Sequence, residues 1–145
     1  MEKVFRFKDV PNRWALCFNS ACERRETCMR FFAGRHVPEQ MLTGNAVLPS
    51  AWQKGDCKAF CEMRTVRMAR GFSHIFYNLL ARHTALLREK VKDYLGGNGT
   101  YYRYLHGEKP LTPKQQEWIR QLFTHYGYAD QVVFDAYETA YDFQG

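Results

Sequence analysis

No apolar run in this chain approaches the ~20 residues that a membrane-spanning helix requires. Its opening, MEKVFRFKDVPNRW, is charged throughout and lacks the apolar core of a signal peptide. Both absences argue for a cytoplasmic protein without a membrane partner, in a compartment that keeps thiols reduced. Internal repeats, low-complexity tracts and linker-like stretches are also missing. The composition of disordered sequence is absent as well, since hydrophobic residues make up 46% and aromatic residues 16% of the 145 positions. No cysteine follows Cys61, so any thiol chemistry belongs to the first half of the chain.

That half holds five cysteines: Cys17, Cys22, Cys28, Cys57 and Cys61. An odd count in a reducing compartment suits a four-ligand metal site with one thiol to spare better than a set of disulfides. Zinc takes four soft or borderline ligands in a tetrahedron. Cys17, Cys22 and Cys28 lie where a loop enters a helix, and a cysteine returning after the Gly/Pro-rich segment would complete the set. Cys57 or Cys61 fits that place, and His36 is a further alternative ligand. The close-spaced C-x2-C knuckles of zinc ribbons are missing, so zinc leads and a cysteine-held iron–sulfur cluster is the alternative. Buried, inert cysteines are the plain competing reading. Arg24, Arg25, Arg30 and His36 stand near these thiols, but no nucleophile signature accompanies them, and no catalytic residue is assigned.

Periodicity predicts a mainly α fold, a single small domain over 1–145 with at most a short β-ribbon. A loop-rich, metal-bound cysteine lobe (1–70) precedes a helical lobe (71–145). Phe5 and Phe7 alternate with Arg6 and Lys8 as a short extended arm. Helical patterns cover Ala21 to Phe32, then Phe72, Ile75, Phe76, Leu79 and Leu80, then Thr84 to Leu95, with Thr84 as a cap. Tyr101 to His106 reads as a short helix. Thr112-Pro113 opens the last helix, which runs to about Tyr126. MRTVRM (Met63 to Met68) reads as a strand, and VVF (Val132 to Phe134) is β-prone. The irregular stretch from His36 to Gly55 is too long to stay unpinned, and a metal ligated from both flanks would hold it.

The formal net charge of +6 favours an anionic partner. With Gly96 as the turn glycine, LREKVKDYLGGNGTYYRYLHGEKP resembles the helix-turn-helix of phage-repressor type, with Val91, Leu95, Tyr102 and Leu105 inward. The resemblance implies that the second helix meets duplex DNA through Thr100, Tyr101, Arg103 and Tyr104. Lys109, with Arg82, Arg88, Lys90 and Lys92, would contact phosphate. The expected function is a small metal-stabilised DNA-binding or regulatory protein. The alternatives are a protein-interaction adaptor with an aromatic surface, and an iron–sulfur or redox protein.

Over nearly its full length the chain also resembles an uncharacterised family of small cysteine-containing proteins from gut bacteria. The matching features are C-F-N-x-x-C-x-R-x-x-x-C-x-R-F (Cys17 to Phe31), G-D-C (Gly55 to Cys57), G-F-S-H-x-F (Gly71 to Phe76), Y-Y-R-Y…G-E-x-x-L-T-P-x-Q-Q and a late V-x-F-D-x-Y. The resemblance implies Cys17, Cys22, Cys28 and Cys57 as the ligand set, with Cys61 the extra thiol. It implies no activity.

Overall fold

Seven elements order the chain: β1 (Lys3–Val4), α1 (Met29–Gly34), β2 (Thr65–Arg70), α2 (Ala81–Tyr94), α3 (Asn98–Leu105), α4 (Pro113–His125) and β3 (Ala136–Tyr141). They come from a computed structural model that describes residues 3–143. The chain divides into two compact units, one of Lys3–Thr65 with 141–143 and one of Val66–Ala140. The first stretch of the cysteine-bearing unit closes at Thr65, and residues 141–143 belong to it as well.

In that unit the helix expected over Ala21 to Phe32 forms only at its end. Residues 21–28 make turns and one 3-10 turn, Arg25–Thr27, before α1 begins. Long-range pairing takes backbone groups a longer helix would need. Cys28 bridges antiparallel to Glu62, Met29 N–H donates to Cys61 O (2.6 Å), and Met63 N–H donates to Thr27 O (3.0 Å). The long loop is pinned by hydrogen bonds as well. Leu16 pairs parallel with Ala46, Asn45 Nδ2 donates to Arg13 O (2.8 Å), and Lys58 N–H donates to Ala51 O (3.0 Å). Gly34 packs so tightly under this frame that a Cβ there would stand 2.4 Å from Cys17 O.

In the other unit α2, α3 and α4 gather around Phe72, Ile75, Leu87, Val91, Ile119 and Phe123, all fully buried. Thr112 caps α4 through a reciprocal box: Gln115 N–H donates to Thr112 Oγ1 (3.2 Å), and Thr112 N–H donates to Gln115 Oε1 (2.9 Å). Pro113 sits at the first helical position, where its missing N–H costs nothing. Trp118 is half-buried and stacks flat on Tyr94, centroids 3.8 Å apart. The residues after Gly71 form turns instead of the expected helix, although Phe72 and Ile75 do enter the core. Ser73 explains this, because its N–H and hydroxyl both donate to the Asp135 carboxylate, at 3.0–3.2 Å. Thr84 does not cap α2; its hydroxyl donates back to Leu80 O.

The expected mainly α class is therefore corrected to a mixed α/β fold. β2 and β3 are neighbours in a sheet. Their antiparallel register is marked by Asp135 N–H donating to Gly71 O (2.9 Å), and in the other unit by Asp142 N–H donating to Arg64 O (2.8 Å). The physical reason is that ribbon partners some seventy residues apart leave no periodic signature in either strand alone. The β-prone VVF contributes buried Val132 and Phe134 but lies just before β3 rather than within it.

Candidate metal centre

Each cysteine is carried by a differently anchored segment. Cys17 N–H donates to Arg30 O (3.0 Å), which lays the Cys17 segment against the start of α1. Cys28 stands at the residue before α1 and is held by its bridge to Glu62. Cys22 sits in a turn whose hydrogen bonds are local: its N–H donates to Asn19 O (3.2 Å), and its carbonyl accepts from Arg25. Cys57 opens a second turn, in which Phe60 N–H donates to Cys57 O (3.3 Å).

These four segments surround one cavity of about 20 Å³, lined by Cys17, Cys22, Cys28 and Cys57 together with apolar walls and two arginines. That volume suits one water-sized body. All five cysteines carry free thiols. Among the described residues, no three His, Cys, Asp or Glu side chains converge as a ready-made metal-binding group, so the thiols line a common space without meeting at a point. Four cysteine sulfurs are a donor set of the kind that zinc accepts, once brought to a common point.

The alternative ligands lie elsewhere. Cys61 faces an open pocket of about 330 Å³ with Arg30, Phe60, Glu62 and Arg64. Burial pushes its thiol pKa up, with Arg30 opposing and Cys28 adding to the rise. His36 is exposed, with Nδ1 2.7 Å from Phe32 O and its ring against Phe5 and Phe32. It does not line the cysteine cavity.

Two arginines beside the thiols carry more of this site than their residue type announced. Arg30 Nε donates to Ala59 O (2.8 Å) and Nη1 to Ala15 O (2.9 Å), while the guanidinium lies 4.5 Å over the Trp14 ring. Arg25 Nη1 donates to Cys22 O (3.0 Å). Their closeness to Cys22 and Cys28 in sequence is the signal that points to them.

The residues expected to meet DNA do not share one surface. α2 and α3 are joined by a tight turn in which Gly96 and Gly97 take positive φ (97° and 105°), where glycine is unstrained. α3 then turns Tyr101 (1% exposed) and Tyr104 (6%) into the core. Burial raises the Tyr101 hydroxyl pKa, with nearby Arg88 opposing. Tyr102, expected inward, is 42% exposed instead, and Thr100 and Leu105 are half-buried. Arg103 points outward, 4.0 Å from Glu108. Lys109 lies over the Tyr104 ring at 5.2 Å. The inward face of α3 is thus rotated by one residue from the repressor-like reading.

The fold and the cysteine cavity define a small mixed α/β protein with a clustered-thiol unit. Among the described residues, no helix is long and apolar enough to cross a membrane. The chain belongs to DUF6078, a family of unknown function whose model matches residues 1–143. That agrees with the resemblance to an uncharacterised family, although the family description names neither a bacterial source nor a helix-turn-helix. No curated protein matches the chain, and no solved structure does.

Proposed function

We propose that the protein is a small zinc-stabilised binding protein in which Cys17, Cys22, Cys28 and Cys57 hold one structural zinc ion. The observation that carries this reading is their common cavity, which has room for one water-sized body and leaves Cys61 and His36 outside. An iron–sulfur cluster held by the same four thiolates is the alternative occupant. Four protein ligands would close the coordination sphere, which is the pattern of structural rather than catalytic zinc. The metal's role would then be to tie four segments of the cysteine unit, with the helical unit serving a macromolecular partner.

For that partner we favour a protein over duplex DNA. Two of the four α3 residues expected to meet duplex DNA, Tyr101 and Tyr104, are buried in the core and unavailable to bases. The adaptor role is therefore the reading we adopt.

Elemental analysis of the purified chain tests the zinc reading, with one zinc per chain expected. Cys22→Ser should lose the metal and Cys61→Ser should keep it. A folded, metal-free chain with five reactive thiols would overturn the reading, and equal losses from the two substitutions would overturn the choice of ligands.

A further inference from the structure

Zinc bound by four thiolates carries two negative charges in excess, because each cysteine contributes its deprotonated form. Placing such a group among Phe31, Val47, Trp52 and Phe60, which line this cavity, is unfavourable unless the charge is met nearby. Two guanidinium groups, Arg25 and Arg30, line the same cavity. Arginine cannot be deprotonated in a protein, so both stay cationic whatever the thiols do.

The same two side chains also hold the ligand-bearing segments. Arg30 follows Cys28 by two residues. Its fork donates to the carbonyls of Ala15, two residues before Cys17, and Ala59, two residues after Cys57. Its own carbonyl accepts from Cys17 N–H. Arg25 reaches the fourth segment by donating to the carbonyl of Cys22 itself. Between them the two arginines touch all four cysteine segments. Arg25 also has Glu26 beside its Nε at 3.5 Å, but that carboxylate is largely exposed and does not line the cavity.

We infer that Arg25 and Arg30 are the positioning residues of this centre, a cationic pair that offsets the charge of a metal tetrathiolate and sets its affinity. This rests on the zinc reading above. Arg30 acts as clamp and charge together. Arg25, on the exposed Cys22 turn, acts mainly as charge and latch.

The test is zinc affinity of the full chain, measured by competition with a chromophoric chelator. Removing a group that orients and tunes metal ligands typically costs 10–100-fold in affinity, and that loss is expected for Arg25→Gln and Arg30→Gln. Arg25→Lys should recover most of the loss because it restores the charge. Arg30→Lys should recover less, since an ammonium lacks the planar fork that spans two carbonyls. Should Arg30→Gln fail to fold, the Arg25 pair still decides the matter. A parent chain that takes up no zinc defeats the zinc reading itself. A parent that binds zinc while Arg25→Gln binds it equally well overturns this inference alone, as does an Arg25→Lys variant no better than Arg25→Gln.

Discussion

Replacing Gly34 by alanine should destabilise the cysteine unit, although the same change in most helices is favourable. Gly34 ends α1 and is fully buried, and its φ is not in the left-handed region. On backbone grounds alone, alanine there should gain roughly 0.4–1 kcal/mol by narrowing the unfolded ensemble. Packing opposes it. The new methyl would stand 2.4 Å from Cys17 O, 3.3 Å from Cys17 C and 3.4 Å from a ring carbon of Phe18. The first two are backbone atoms, and the Cys17 segment cannot retreat freely because Cys17 N–H is bonded to Arg30 O and Leu16 to the 45–47 segment. Overpacking of a fixed contact typically costs ~1–3 kcal/mol, so the net effect should be a loss of about 1–2 kcal/mol. Gly99→Ala is the internal control. Gly99 lies in α3, has no atom within 4 Å of a built Cβ and has no positive φ, so alanine there should stabilise by roughly 0.5 kcal/mol. Urea unfolding of the two variants and the parent gives the comparison. A Gly34→Ala chain as stable as Gly99→Ala would refute the claim that the Cys17 segment is locked against α1.

Two further outcomes are expected, besides those for the cysteines and arginines. Thr112→Ala removes the capping box of α4 and should cost ~1 kcal/mol, read as a lower urea midpoint with an unchanged slope. In a mobility-shift assay at physiological salt the chain should leave duplex DNA unshifted; a salt-sensitive specific complex weakened by Arg103→Ala would restore the DNA-reading role.

What could be read from the sequence follows a physical divide between local and distant causes. α4 was legible at both ends because Thr112, Pro113 and Gln115 act within one turn. α2 and α3 were legible because glycines separate them. The burial of Phe72 and Ile75 was legible too, but its cause was not. A three-to-four spacing marks one inward face, and a chain of turns can present the same face once Asp135, sixty-two residues from Ser73, takes the donors of that stretch. The rotation of α3 has a similar origin. Tyr101, Tyr102 and Tyr104 offer aromatic surface on every side of a short helix, so composition cannot choose the inward set. The packed neighbours choose it: Phe72 meets the Tyr101 ring edge-on, and Gln115 donates to the Tyr104 hydroxyl.

The choice between Cys57 and Cys61 shows the same divide inside the proposed metal centre. Four residues apart on a helix, the two thiols would share a face and either could ligate. The segment is a turn instead, closed by Phe60 N–H on Cys57 O, and no helix spans it. Just beyond the turn, the chain is captured by α1: Cys61 O accepts from Met29 N–H, and Glu62 bridges to Cys28. That capture leaves Cys57 on the thiol-lined cavity and Cys61 on the open pocket beside Arg64. Arg30 borders both spaces, and its bond to Ala59 O lies midway between the two cysteines. The turn between Cys57 and Cys61 is thus held from the α1 side at two points, and it is this hold, invisible in the spacing, that parts the thiol on the shared cavity from the thiol outside it.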